Sequence, residues 1–320
     1  MVAIHNNDAQ PQSTCPVAVV VVAWNSGPAL ERCLNAALQQ SPQEVVVVDN
    51  ASTDASIARV RELFPTVRVV RLAENVGFAA GCNLGVAVTH APYVLFLNDD
   101  AELDAGYLDT LLAALKAQPR AASAVGKLVN VRREGRFIDS AGITLVWHAL
   151  RPDDRGHGEA DHGQYDGPAE IFGPTGAAAL YRREALLDRA DTAFDAALFA
   201  YYEDVDLAWR LRRRGWKHLY IPQATAHHPR RGPSVKPHGI AVRAFVNRYT
   251  VWLKHESARR FLRYGALALA WEAARLVRVG LRDPKFLAGI GGALLPALQR
   301  GWRARRKERR LTRGVDAGGA

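Results

Sequence analysis

The chain is poor in cysteine: Cys15, Cys33 and Cys82 are an odd number in 320 residues, and no two of them stand in a C-x-x-C spacing. That argues against a disulfide framework and a zinc knuckle, and it fits a reducing, cytosolic setting. No basic start followed by an apolar run opens the sequence, so residues 1–16 read as a loose, disordered polar leader rather than an export signal. Two nucleotide-binding fingerprints are also missing. The first apolar run is followed by A-W-N-S-G-P where a dinucleotide fold would want G-x-G-x-x-G, and no G-x-x-x-x-G-K-[ST] occurs.

Acidic residues are scarce in the C-terminal part. Residues 259–313 hold 15 Lys/Arg against Glu272, Asp283 and Glu308, whereas residues 1–258 hold 27 Lys/Arg against 28 Asp/Glu, so the net charge of +10 comes from the tail. Apolar stretches such as Leu267 to Trp271 and Phe286 to Leu298 alternate there with arginines, none reaching the roughly 18 residues of a spanning helix. A basic amphipathic helical extension over 259–313, followed by a disordered tail at 314–320, suits an anionic membrane surface, where each basic residue contributes on the order of 1 kcal/mol. A solvated helical tail packed on the body is the other reading. Nucleic acid is disfavoured, because no aromatic platform or base-reading motif accompanies the charge.

Four short runs rich in β-branched residues, Val17 to Ala23, Val45 to Val48, Val67 to Leu72 and Tyr93 to Leu97, read as buried strands. Leu30, Cys33, Leu34, Ala37 and Leu38 repeat at helical spacing between the first two. Asp54 can cap a helix carrying Ile57, Val60 and Phe64 before Pro65 stops it. The alternation predicts parallel βαβ units in an α/β fold. Polar residues follow each strand at once: Trp24, Asn25 and Ser26, then Asp49 and Asn50, then Glu74 and Asn75, then Asn98, Asp99 and Asp100. In an open parallel sheet such ends converge on the ligand crevice. Paired carboxylates there suit Mg²⁺ or Mn²⁺, which commonly bridge protein carboxylates to substrate phosphates. The glycines Gly77, Gly81 and Gly85 would let backbone approach a ligand or a neighbouring helix.

Taken in order, VVVVAWNSGPALERCL, VVVVDNASTD, NVGFAAGCNLG, LFLNDDAEL, GPTGAAALYRREAL and FAYYEDVDLAWRLRRRGW resemble family 2 glycosyltransferases, notably their bacterial rhamnosyltransferase-like branch. The resemblance runs from about Val17 to Ser234. It implies a GT-A fold over 17–258, with a nucleotide-sugar half at 17–103 and an acceptor and catalytic half at 104–258. It also implies an inverting displacement from a dTDP- or UDP-linked sugar and a Mn²⁺ or Mg²⁺ ion; together with the basic tail it points to a glycan or lipid-linked acceptor at the inner face of the cytoplasmic membrane. Carried over by position, Ala23, Trp24 and Asn25 line the base, Asp49 and Asn50 read base and ribose, and Asn75, Gly77 and Asn83 form the donor-side loop. Asn98, Asp99 and Asp100 take the place of the D-x-D motif, Asp100 as chief metal ligand and Asn98 standing where the family has an aspartate.

The same resemblance makes Asp204 the catalytic base. Leu207 and Leu211 at helical spacing and the stop at Gly215 put it in the first turn of a helix, whose dipole would hold it ionised. His228, with His227 beside it, is the candidate metal histidine after a short strand at Leu219 to Pro222, and Arg230 and Arg231 are candidates to neutralise the departing diphosphate. Residues 151–168, polar and glycine-rich, read as a mobile lid or as disorder. GPTGAAALYRREAL leads into a helical start and faces the acceptor or packs the core. A catalytically silent nucleotide- or glycan-binding scaffold is the alternative function, against which the retention of Asp100 and Asp204 speaks.

Overall fold

The computed structural model of the chain describes residues 15–146, 151–188, 192–230 and 238–316. Of the expected features, the leader up to residue 14, Arg231 and the last four residues of the tail lie outside the described residues.

Strand and helix alternate through the first hundred residues: β1 (Cys15–Ala23), α1 (Pro28–Leu38), β2 (Pro42–Asp49), α2 (Ser56–Leu63), β3 (Arg68–Arg71), α3 (Phe78–Ala87) and β4 (Tyr93–Asn98). Cys15 and Pro16 already belong to β1, so the sheet begins two residues earlier than the apolar run indicates. Helix α1 starts on Pro28, where a missing N–H costs nothing. It buries Leu30, Cys33, Leu34 and Ala37, and each fully buried leucine contributes roughly 1.5–3 kcal/mol. Asp54 is not the residue capping α2; Ala55 holds that position. The Asp54 carboxylate instead accepts the Ser56 N–H at 3.1 Å and the Gly27 N–H at 3.0 Å, tying two loops together. A Cβ on Gly81 would lie 2.8 Å from Val22, and one on Gly85 2.2 Å from Val20, so these glycines seat α3 on β1 rather than admit a ligand.

Beyond β4 follow β5 (Glu102–Leu103), α4 (Tyr107–Ala117), β6 (Ala121–Arg132), β7 (Gly135–Ser140), β8 (Ile143–Val146), β9 (Arg151–Asp154), β10 (Ala169–Ile171), β11 (Ala178–Arg182), α5 (Arg183–Leu186), α6 (Glu203–Arg213) and β12 (Lys217–His227). One sheet runs in the order β10-β12-β6-β11-β4-β1-β2-β3, with β5 beside β12 and β7 beside β6, while β8 and β9 form a separate hairpin. Strands β3, β2, β1, β4, β6 and β12 share one direction, and β11 is inserted antiparallel between β4 and β6. The expected mostly parallel α/β sheet is therefore present.

Three local expectations need correcting. Residues 151–168 are ordered where described: β9 pairs with β8, and Ile138 N–H to Glu159 O (2.8 Å), Gly158 N–H to Ile138 O (2.9 Å) and Asp161 N–H to Arg136 O (2.9 Å) bind the stretch along β7. Lys127, buried, pairs with Asp161 at 3.1 Å and with Asp166, so the acidic residues of this segment serve as counter-charges. In GPTGAAALYRREAL a strand comes first, helix begins only at Arg183, and Ala177 to Ala179 are core. Strand β12 is longer than Leu219 to Pro222 and contains His227, its register broken between Tyr220 and Thr225 around Pro222.

Helices α7 (His238–His255), α8 (Ala258–Arg282) and α9 (Pro284–Asp316) follow, α9 running through residues 314–316 where the start of a disordered tail was expected. Phe245, Val246 and Tyr249 of α7 share a core with Ile290 and Ala297 of α9, and Thr250 Oγ1 donates to Ala297 O at 3.0 Å. The extension is helical and packs on α7, which in turn docks on α6. There the fully buried Asp206 meets Arg210 at 2.9 Å and Lys254 and His255 at 2.7 Å each. Burial opposes its charge, but these partners outweigh it and hold its pKa well below the usual carboxylate range. On α8, Leu262, Leu269, Val277 and Leu281 stay exposed. Among the described residues, no helix is long and apolar enough to cross a membrane.

Candidate active site

Register alone brings the polar strand ends together: Ala23 pairs with Asp49, Asp49 with Arg71, and Val22 with Asn98. The four parallel strands β3, β2, β1 and β4 thus finish in one row at one sheet edge, where such folds open a crevice. Loops beyond them are cross-braced. Asn50 N–H donates to Ala23 O at 2.9 Å, and its Oδ1 accepts the Val76 N–H at 2.8 Å. Asn25 Oδ1 accepts the Thr53 N–H at 2.8 Å, and Trp24 beside it is exposed. Buried Asp49 accepts the Ser52 N–H at 2.8 Å through Oδ1 and lies 3.3 Å from Arg71 Nε through Oδ2. Asn75 Oδ1 accepts the Gly77 N–H at 2.9 Å. Gly77 has φ +88°, and a Cβ on it would lie 2.5 Å from the Phe199 ring, so the turn requires glycine. Asn83 stands apart: both ends of its amide bond the Phe194 backbone, at 2.8 and 2.9 Å, and fasten α3 to the segment before α6.

At the end of β4 the acidic residues diverge. Asp99 accepts a hydrogen bond from Ser26 Oγ, whereas buried Asp100 lies 3.3 Å from His228 Nε2, and Asn98 Nδ2 is 3.2 Å from the same nitrogen. The His228 Nδ1 is 2.8 Å from Asp139 Oδ2. Burial works against a charge on His228, but its bonds to Asp100 and Asp139 outweigh burial and push its pKa up to about 9. His227, the last residue of β12, turns away from His228 and meets Asp104 at 3.4 Å. Arg230 reaches Asp139 at 2.6 Å and Asp154 at 2.7 Å, so its charge is shared by two carboxylates and does not stand as a bare phosphate clamp. Asp139 and Asp154 went unrecognised from sequence. They sit on β7 and β9 in segments with no distinguishing motif, and only sheet pairing carries them to His228.

Asp204 lies in the first turn of α6, as its helical spacing predicts. Its Oδ2 accepts the Gly176 N–H at 3.0 Å, and the next residue, Ala177, accepts the Asn98 N–H at 2.8 Å. Two consecutive residues therefore join Asp204 to the acidic end of β4. The carboxylate is ionised at neutral pH, as expected, but its pKa is raised. Burial raises the Asp204 pKa to about 6; the bonds from the Gly176 and Val205 amides lower it, and the nearby Asp154 charge raises it. Glu203, buried beside it, is raised well above the usual range by burial and by Asp204. A carboxylate poised near 6 suits proton abstraction at neutral pH.

The model of the family described as Glycosyl transferase family 2 matches residues 18–189. An N-acetylglucosaminyl-diphospho-decaprenol L-rhamnosyltransferase of Mycobacterium tuberculosis is 29% identical over 296 residues, covering 82% of this chain and 94% of that protein. The succinoglycan biosynthesis protein ExoU of Rhizobium meliloti is 32% identical over 42% of this chain and 43% of its own length. Among solved structures, the mannosyltransferase PcManGT from Pyrobaculum calidifontis in complex with GDP-Man and Mn²⁺ superposes with a TM-score of 0.53, at 20% identity, over 94% of this chain and 89% of that one. S. aureus TarS 1–349 in complex with UDP-GlcNAc gives 0.57 at 18% identity, over 88% and 81%.

Proposed function

The chain belongs to glycosyl transferase family 2 and is a glycosyltransferase, and on that premise we propose that it transfers a sugar, rhamnose by its likeness to the mycobacterial relative, from a nucleoside diphosphate to a lipid-linked acceptor with inversion. The observation that carries this reading is the unbroken connection from Asp100 through His228, Asp139 and Arg230 to Asp154, whose charge acts on Asp204. Asp204 takes the proton of the acceptor hydroxyl as that oxygen attacks the anomeric carbon and the nucleoside diphosphate departs.

Asp100 and His228 would hold the divalent cation, His228 as the neutral imidazole after releasing its Nε2 proton. Asp139 fixes the ring through Nδ1 and aims Nε2 at Asp100, the arrangement in which a carboxylate orients a metal-binding imidazole. No group of three or more His, Cys, Asp or Glu among the described residues forms a cage. Two protein ligands suit Mg²⁺ or Mn²⁺, whose other positions go to diphosphate oxygens and water. When bound, such an ion supplies positive charge against the departing diphosphate. Trp24, Asn25, Asp49 and Asn50 would then receive the base and ribose, and Asn75, Gly77 and Asp99 the rest of the donor.

A thermal-shift screen of nucleoside diphosphates and nucleotide sugars, with and without Mn²⁺, tests this. Bound ligand raises apparent stability by mass action, so the donor is expected to give a shift that grows with Mn²⁺. The absence of any shift across the dTDP-, UDP- and GDP-linked series would sink the donor assignment.

The exposed apolar stripe of α8, Leu262, Leu269, Val277 and Leu281, with Arg259, Arg263, Arg278 and Arg282 on the same helix, supports docking on an anionic membrane surface at its cytoplasmic side. Truncation after residue 258 is a poor test, because it would strip the apolar partner from Phe245 and Tyr249 of α7. Leu262→Ser with Leu281→Ser leaves that core intact. The double variant is expected to bind phosphatidylglycerol vesicles roughly tenfold more weakly in co-sedimentation. Unchanged binding would remove α8 from the membrane contact.

A further inference from the structure

Three residues that are not glycine take left-handed backbone just before the catalytic base: Phe199 (φ +64°), Tyr201 (φ +70°) and Tyr202 (φ +73°). At Phe199 the chain makes a γ-turn of the rare, strained hand, with ψ −67° and the Ala200 N–H bonded to Leu198 O at 2.7 Å. Such conformations persist only where the surrounding structure holds them. We infer that Asn247 of α7 is a positioning residue for the transfer: it clamps residues 198–201 and thereby sets where Asp204 stands relative to the donor turn at Gly77.

The clamp is one buried amide. Asn247 Nδ2 donates to Leu198 O at 2.7 Å and to Ala200 O and Tyr201 O at 3.0 Å each. Carbonyl oxygens only accept, so the amide nitrogen must face the loop. The Asn247 Oδ1, buried on the other side, has no hydrogen-bond partner among the described residues. A buried oxygen left bare is unfavourable, so the site is shaped around the three loop carbonyls rather than around the asparagine. Arg243, one turn earlier on α7, lies over the Phe199 ring at 4.6 Å. Further along the same helix Lys254 pairs with Asp195 at 3.0 Å and with Asp206 at 2.7 Å, where His255 joins it. A single helix therefore grips the chain both before and after Asp204.

The clamped loop also meets the donor side. Phe199 O accepts the Ala79 N–H at 2.9 Å, a first-turn amide of α3 that no carbonyl of its own helix serves, and the Phe199 ring lies against Gly77. The donor turn has braces of its own, Asn75 Oδ1 to the Gly77 N–H and Asn50 Oδ1 to the Val76 N–H. Outside its own helix Asp204 is tied through the Gly176 N–H. Loosening residues 198–201 would thus shift the base and leave the donor seat in place. A misplacement of about 1 Å can cost on the order of 100-fold in rate.

This inference rests on Asp204 being the base, and its test is separable from that assignment. Asn247→Leu keeps the approximate volume and removes both donors. In the full-length variant, hydrogen exchange followed by mass spectrometry is expected to quicken roughly tenfold or more in peptides containing Ala79 and Gly176, with β1, β2 and β4 as protected as in wild type. Turnover is read as nucleoside diphosphate release from dTDP-rhamnose with N-acetylglucosaminyl-diphospho-decaprenol as acceptor. It is expected to fall about 10- to 100-fold in kcat, while calorimetric donor affinity in Mn²⁺ stays unchanged. A residue that only stabilised the fold would quicken exchange throughout the chain and leave kcat of the folded enzyme alone; either result would overturn the proposal. Should Asn247→Leu not fold, Asn247→Ala decides in its place, since the vacated volume admits a water that can donate to two of the carbonyls, and an intermediate fall in kcat is expected. Near-normal turnover in Asp204→Asn, or none in wild type with this substrate pair, would count against the base or the substrates instead, and the exchange pattern would still decide the clamp.

Discussion

Asp204→Asn is expected to lower kcat by about 10²–10⁴-fold, the usual contribution of a positioned general base, with donor affinity unchanged. Asparagine keeps the shape and can still accept the Gly176 N–H, but it cannot take a proton. The substitution also removes a carboxylate whose charge is disfavoured by burial, so the melting temperature is expected to stay level or rise. The pH profile gives an independent check. Because the Asp204 pKa is raised to about 6, the base is ionised above that value and protonated below it. Wild-type kcat is therefore expected to fall about tenfold per pH unit on the acid side of 6 and to flatten above it. Near-normal turnover in Asp204→Asn, measured as nucleoside diphosphate release with acceptor present, would remove Asp204 from the chemistry.

Asp100→Asn is expected to weaken nucleoside diphosphate binding in Mn²⁺ by about 100-fold or more, while metal-free binding is little changed. Loss of a residue that merely orients a ligand commonly costs 10–100-fold in metal affinity, and loss of the ligand itself costs at least as much. Calorimetric titration with and without Mn²⁺ separates the metal contribution from contacts to base and ribose. Asp139→Asn supplies the graded comparison: His228 keeps its place but loses the partner that aims Nε2 at Asp100, and an intermediate loss is expected. Equal Mn²⁺-dependent affinity in wild type and Asp100→Asn would place the cation elsewhere or remove it.

Much of the polar strand edge was readable from sequence because its signals are local. Strands β1 to β4 are short β-branched runs bounded by turn residues, and parallel βαβ connection then forces their polar ends onto one edge. Asp204 was singled out by the family resemblance, and helical spacing added its place in a first turn, which the fold bears out. Its raised pKa was not legible, because the helix dipole is a local effect whereas burial and the Asp154 charge belong to the tertiary fold. Asn83 shows the opposite error: a polar residue within a binding motif spends its amide on the Phe194 backbone, 111 positions away.

The sequence by itself determined the α/β alternation, the edge at which Asp49, Asn98 and Asp100 gather, the first-turn position of Asp204 and the confinement of excess positive charge to the last helices. Each of these follows from periodicity or composition within a few residues. Only the tertiary structure decided that His228 rather than His227 turns to Asp100, that Asp139 and Asp154 complete the charged network, that Arg230 is bound to both, and that residues 151–168 are an ordered wall. Those outcomes depend on strand register and on long-range pairing of β7, β9 and β12. A one-residue slip in register reverses which side chain faces the site, and nothing in the local pattern fixes it.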